Sequence, residues 1–407
     1  MSGERVPIEA TKTCMRLMTE YYMRAKMAEQ TDQKIAWITS GAPVELLYAA
    51  GVIPIYPENH AALCGAQKKA VDYCTVAEEH GFSRDICSYA RTDLGAIYKG
   101  TSPIGGLPKP DFLLCCNNIC GTVTKWYQNL QRHFDVPLLY LDAPFVHGEA
   151  TPGAIEYVRA QAVDLLGQIE ELTGAPIDQD KLVETFRLAS RATELWQETL
   201  DTSTSRPAPM NSFDTFVHIA PIVVMRGTQA CVDYYETLLA EMKDRVAKGI
   251  GAVPGEQYRV AWDNLPVWFK MGALARKFAE RKVCLAAATY ASAWAVEINH
   301  EAEDLMRELA RAYVTVYINL GLDQRVEALC AMVAKYALDG VVMHSDRSCK
   351  AYSLGQYELA RTLTNDHDIP VLVLEADMND SRVYAEEQIN TRIDAFVETL
   401  AGRSAAA

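Results

Sequence analysis

The chain has 407 residues, 49% of them apolar, and a formal net charge of −14. That length exceeds one ordinary core and suits two domains. The apolar content excludes a disordered chain, and the acidic balance argues against nucleic acid or an anionic membrane as the main partner.

Eleven cysteines are an odd number. The N-terminal stretch MSGERVPIEATKT has no apolar signal region, and no run approaches the ~20 apolar residues of a membrane helix. The expectation is a soluble, cytoplasmic protein whose cysteines are thiols or metal ligands, not a disulfide framework.

In chain order, Lys34–Ser40 predicts a strand, Pro43–Ala50 a helix and Val52–Tyr56 a second strand. Ala61–Gly81 reads as one helix, with Gly81 just past its end. Asp111–Cys116 and Val136–Ala143 are short continuous apolar runs, the pattern of strands buried on both faces of a parallel sheet. Pro152–Leu172 and Asp178–Thr202 read as long helices, and Ser205–Met210 (SRPAPM) as a proline-rich break. Four more strands are expected at Gln257–Asp263, Lys282–Tyr290, Gly340–Ser345 and Pro370–Asp377, with helices between them, including Arg325–Leu338. The pattern predicts an α/β fold of two doubly wound (Rossmann- or flavodoxin-like) parallel-sheet domains. Their expected limits are 1–150 and 211–407, with a helical connector over 151–210.

The cysteines divide by context. Cys115, Cys116 and Cys284 lie within strands, and Cys64, Cys74, Cys231 and Cys330 within helical patterns; these read as core or partly buried thiols. Cys14, near the terminus, is uninformative. Cys87, Cys120 and Cys349 instead sit among polar, turn-like residues. Cys120 and Cys349 each lie a few residues past the carboxyl end of a strand, where open parallel sheets bind ligands. Their wide separation suits one metal centre gathered from several loops, an iron–sulfur cluster before zinc, but the spacing does not force it. No GxxxxGK[ST], GxGxxG after a strand, HExxH or GxSxG occurs, so ATP hydrolysis, nicotinamide binding and two hydrolytic chemistries find no motif here.

Five stretches carry a family pattern: TSGAPVELLYAAGVIPIYPENHAA, DICSYARTDLG, PDFLLCCNNICGTVTKWYQNL, PAPMNSFDTF and HSDRSCKAYSLGQYE. Together and in this order they resemble the 2-hydroxyacyl-CoA dehydratase family, most closely its larger, α-type subunit, over roughly Lys34–Val397. The resemblance implies a [4Fe-4S] cluster held by Cys87, Cys120 and Cys349, with one iron not ligated by cysteine. It implies a smaller homologous β-type subunit, a separate ATP-dependent iron–sulfur activator and an acyl-CoA substrate. The expected reaction eliminates water from an (R)-2-hydroxyacyl-CoA by way of a ketyl radical anion, giving the 2-enoyl-CoA.

The same likeness marks Ser40 as a donor to bound water or substrate and Glu58 as a proton acceptor or relay near the leaving hydroxide. Ser40 otherwise reads as a helix N-cap and Glu58 as an exposed loop charge. His60, His344 and Arg347 fall near the same loops, with structural hydrogen bonding as their competing role. Arg91 reads as a support for the Cys87 loop, Asn117 and Asn118 as turn formers, and Lys125, Trp126 and Tyr127 as packing residues. The chain departs from the family pattern at Ser345 and Asp346, where a carboxylate would lower the cluster potential or move a proton. It departs again at Gly41, whose small size is expected to enlarge the pocket. Two other functions fit the same residues: a subunit of an ATP-dependent benzoyl-CoA or other acyl-CoA reductase, and a non-catalytic metal-binding scaffold.

Overall fold

Each half of the chain builds a four-stranded parallel sheet, and the two sheets share one strand order. The computed structural model describes residues 5–28 and 30–406. The first sheet consists of β1 (Ile35–Ile38), β2 (Ile53–Ile55), β3 (Phe112–Cys116) and β4 (Leu138–Leu141), in the order β2-β1-β3-β4. The second consists of β5 (Tyr258–Asp263), β6 (Val283–Ala288), β7 (Gly340–Asp346) and β8 (Val371–Ala376), in the order β6-β5-β7-β8. All neighbouring pairs are parallel; Ala36, for instance, is in register with Pro54 on one side and Phe112 on the other.

The sequence explains the order. Central strands β1, β3 and β7 are buried at every residue, as unbroken apolar runs require when helices cover both faces. Edge strands β4 and β8 alternate in burial instead. Pro54 is tolerated because β2 lies at an edge, where a missing N–H removes no inner ladder bond.

All eight predicted strands and most predicted helices form. Asp178 accepts from the Asp180 and Lys181 N–H groups to start the helix Gln179–Asp201, and Thr151 accepts from Ala154 to start Pro152–Thr173. One expectation is corrected: Ala61–Gly81 is not a single helix. It divides into Pro57–Ala66 and Ala70–Glu79, with Lys68 at φ 59° between them. Gly65 weakens the helix at this point, and packing completes the break: a side chain on Gly65 would sit 2.0 Å from Asn379 Oδ1, and one on Gly95 would sit 1.8 Å from the Tyr73 carbonyl oxygen. The first helix therefore presses on the second half of the chain while the next turns to meet the helix Ser88–Lys99.

The halves are joined by more than the connecting chain. The helix Ala10–Ala28 packs on Gln229–Ala247, whose Glu241 accepts from the Glu9 and Ala10 N–H groups at 2.8 Å each. Buried apolar side chains from both sheets share one continuous core, and a separate cluster that includes Ala261, Cys284 and Met343 lies on the second sheet. No described helix is long and apolar enough to cross a membrane.

Candidate active site

In each sheet the chain leaves the first central strand toward one edge and returns on its other side, so a crevice opens between β1 and β3 and another between β5 and β7. The loops at these carboxyl ends meet around a cavity of about 140 Å³, open at one side. Cys87, Cys120 and Cys349 all line it, and so do Ser40 and Glu58. Residues separated by as many as 309 positions in a 407-residue chain thus face one space. The seven buried cysteines lie elsewhere, as does Cys330.

Each of the three cysteines occupies the N-cap position of a helix: Cys87 before Ser88–Lys99, Cys120 before Gly121–Phe134 and Cys349 before the single turn Lys350–Ser353. Burial pushes all three thiols up; Cys120 pushes Cys87 further, and Asp346, then Cys87 and Cys120, push Cys349 further. Backbone N–H groups at the helix starts act the other way: Ala90 and Tyr89 on Cys87, Val123 and Thr122 on Cys120, Tyr352 on Cys349.

The cysteine turns are braced from behind. Ser88 ties the Cys87 helix to the other half: its N–H donates to Ser348 Oγ (3.0 Å) and its hydroxyl to Asp377 Oδ1 (2.6 Å). Asp346 accepts from the N–H groups of Ser348 (3.1 Å) and Cys349 (3.3 Å) through Oδ1 and from Met378 (3.2 Å) through Oδ2. Its carboxylate therefore shapes the Cys349 turn and does not line the cavity. Arg91 supports the Cys87 loop, as expected: it donates to the Ile86 carbonyl (3.1 Å) and pairs with Glu78 (2.7 Å) and Asp380 (3.0 Å) while almost fully buried.

The turn before Cys120 is pinned on both flanks. Asn117 donates to Asp142 (2.5 Å) and accepts from the Ala143 N–H (2.7 Å), and Asn118 donates to the Tyr313 carbonyl (2.8 Å). Gly41 stands directly against this turn; a Cβ there would meet Asn118 Oδ1 at 2.1 Å and Ile119 Cγ2 at 2.6 Å. The small residue is needed for close approach of two loops, which corrects the expectation that it merely enlarges the pocket. Gly41→Ala is expected to lose ~1–3 kcal/mol of stability, read by denaturant unfolding, with metal retention falling alongside. Unchanged unfolding would mean that the loops part freely.

Ser40 follows β1, and its N–H donates to Glu58 Oε2 at 2.6 Å. Glu58 is not the exposed loop charge that sequence allowed. It lies in the first turn of the helix Pro57–Ala66 and is 9% exposed. Burial raises its carboxyl to about 7, with Ser40 opposing and Asp93 adding to the shift. The other polar residues near these loops do structural work. His60 Nδ1 lies 3.6 Å from Asp93 Oδ1, beyond hydrogen-bond distance, while Asp93 Oδ2 accepts from Trp126 Nε1 (3.0 Å). His344 bonds the Leu265 carbonyl at 2.7 Å, and burial lowers its pKa to about 4. Arg347 is paired at the surface with Glu375 (3.0 Å). Lys125 is exposed and bonds Gln128 (3.1 Å), and Tyr127 is wholly buried. Trp126 packs and also lines the cavity.

Sequence reasoning missed the opposite wall, built from Arg226, Leu265, Tyr290, Trp294, Tyr313 and Tyr317. Leu265 and Tyr290 each lie two residues past the carboxyl end of a strand, β5 and β6, a signal that could have found them; Arg226, Trp294, Tyr313 and Tyr317 lie on helices or connecting segments without one. Most of the lining is aromatic or aliphatic, a surface suited to an apolar group.

Three cysteines line this one cavity, with no fourth among its lining residues, and thiolates are donors suited to iron–sulfur clusters or zinc. Among the described residues no group of three or more His, Cys, Asp or Glu side chains is gathered as a single-ion site.

The family model described as "2-hydroxyglutaryl-CoA dehydratase, D-component" matches residues 39–400. The chain is 34% identical to the (R)-2-hydroxyisocaproyl-CoA dehydratase alpha subunit of Clostridioides difficile, covering 95% of each chain. It is 33% identical to the (R)-phenyllactyl-CoA dehydratase alpha subunit of Clostridium sporogenes, covering 93% of this chain and 92% of that one. It is 32% identical to the lactoyl-CoA dehydratase subunit alpha of Anaerotignum propionicum, covering 94% of both.

Proposed function

The chain belongs to the 2-hydroxyglutaryl-CoA dehydratase D-component family, and from that premise we propose that it is the α-type, iron–sulfur subunit of an (R)-2-hydroxyacyl-CoA dehydratase. The observation that carries this reading is the meeting of Cys87, Cys120, Cys349, Ser40 and Glu58 on one mostly apolar cavity. The three cysteines would hold a [4Fe-4S] cluster through three of its irons. Such a cluster supplies a one-electron relay and one open, Lewis-acidic corner.

The chain's own residues do the rest. The aromatic wall excludes water from the acyl group, so a radical anion formed at the thioester carbonyl is not quenched by solvent before it expels the neighbouring hydroxide. Glu58, protonated up to about pH 7, hands a proton to that hydroxide. Ser40 fixes the carboxyl by its backbone N–H and offers its hydroxyl to the substrate oxygen. The Glu58 carboxylate left by that transfer takes up the β-proton, and return of the electron then gives the 2-enoyl-CoA, with water as the other product.

The relatives described above are named as alpha subunits, which supports a homologous β-type partner. An ATP-dependent activator would deliver the starting electron. The test is an anaerobic assay of the complex with partner and activator supplied, counting electrons against product. Many turnovers per electron are expected. One or two electrons retained in each product molecule would identify a reductase and reject the dehydratase reading.

A further inference from the structure

Arg226 follows the short helix Ala220–Met225 and is 2% exposed. One edge of its guanidinium is fully braced. Nε donates to Glu45 Oε1 at 2.7 Å and Nη2 to the Tyr313 hydroxyl at 2.5 Å, and that hydroxyl donates to Glu45 Oε2 at 2.7 Å. The guanidinium carbon lies 5.8 Å from the centroid of the Tyr313 ring. The other edge is different: Nη1 is buried and has no hydrogen-bond partner. Of the buried side-chain polar atoms left unpartnered among the described residues, it is the one carried by a residue lining the cysteine cavity.

A buried charged donor without an acceptor destabilises a fold. The arrangement makes sense where a ligand supplies the acceptor. The chemistry of that ligand follows from the surroundings. Glu45 already balances the Arg226 charge, so a second carboxylate would be desolvated here without compensation. An uncharged oxygen needs only the free N–H. The rest of the wall, including Trp126, Leu265, Tyr290, Trp294 and Ile318, suits a bulky apolar body.

We propose that Arg226 Nη1 donates to an uncharged oxygen on the acyl side chain of the substrate, so that the cavity selects aryl or other bulky apolar 2-hydroxyacyl thioesters bearing one such oxygen. This rests on the dehydratase reading above and names its substrate class.

The test is calorimetric titration of the anaerobic complex, chain plus partner subunit, with three thioesters: phenyllactyl-CoA, 4-hydroxyphenyllactyl-CoA and 2-hydroxyglutaryl-CoA. The ring hydroxyl is expected to tighten binding about tenfold or more over the plain ring, in line with a hydrogen bond from a charged donor, and the carboxylate ligand to bind weakest. In Arg226→Lys, which keeps a cation beside Glu45 but loses the second fork, and in the neutral double variant Glu45→Gln/Arg226→Met, the ratio between the two aryl ligands should fall to about one. The inference is overturned by equal affinity for both aryl ligands in the unmodified complex, by tightest binding of 2-hydroxyglutaryl-CoA, or by a ratio that survives both variants. The unmodified protein alone decides the first two, whatever the folding of the variants. If none of the three thioesters binds, the dehydratase reading fails and takes this inference with it.

Discussion

Serine in place of any one of Cys87, Cys120 or Cys349 is expected to strip iron from the anaerobically purified protein and to lower dehydration at least ~100-fold. That is beyond the ~10–100-fold typical of losing only a group that supports a metal ligand. The three changes should be equivalent, because each sulfur lines the same cavity from a different loop. Cys330→Ser is the matched control: Cys330 lies on the helix Leu322–Tyr336, is only partly buried and does not line that cavity. Iron and sulfide analysis with visible absorbance reads the outcome directly. A Cys349→Ser protein carrying full iron and unaltered absorbance would remove the cluster from this cavity, and the proposed electron relay with it.

Glu58→Gln is expected to lower kcat by ~100-fold or more, the usual range for a lost general acid, and to erase one limb of the pH profile. Proton donation needs the protonated carboxyl, so with a value of about 7 activity should fall as pH rises above neutrality. The glutamine variant has nothing to titrate and should show no such fall. Stability follows the same sign. The folded value is raised above the ordinary 4.5, so the fold favours the protonated form, and this contribution is fully present at acid pH. It declines as pH climbs from 4.5 through about 7, by up to ~3 kcal/mol at about 1.36 kcal/mol per unit. Glu58→Gln should therefore be relatively more stable than the parent at pH 8 than at pH 5. An unchanged alkaline limb in the variant would assign that limb to another group and leave Glu58 a structural acceptor for the Ser40 N–H.

The strands could be read from sequence because burial on both faces leaves runs such as FLLCC and GVVM without polar interruption. The cysteine trio stood out for a related reason: polar, turn-forming neighbours just past such runs mark the loops where a doubly wound sheet gathers ligands. What escaped was set by distant contacts. The break near Lys68 has only Gly65 as a local hint; the close meeting of Gly65 with Asn379 from the other half is a distant contact that the local sequence does not encode. Arg226 and Trp294 on the far wall look in sequence like ordinary core or surface residues; only the meeting of the two halves turns them toward the cysteines. Asp346 was legible only in part: its charge does act on the Cys87 and Cys349 thiols, but its oxygens also bind backbone N–H groups behind the turn, a bracing role the sequence did not suggest.

The placement of all three cysteines at helix starts bears on what happens when negative charge arrives there. Peptide dipoles fixed in a folded backbone cannot swing as solvent does. On the cluster reading, an extra electron would enter a field already oriented to receive it, and its departure would leave that field almost unchanged. The reorganisation accompanying each transfer would then be small in both directions, which suits an electron that must be lent and taken back within every cycle.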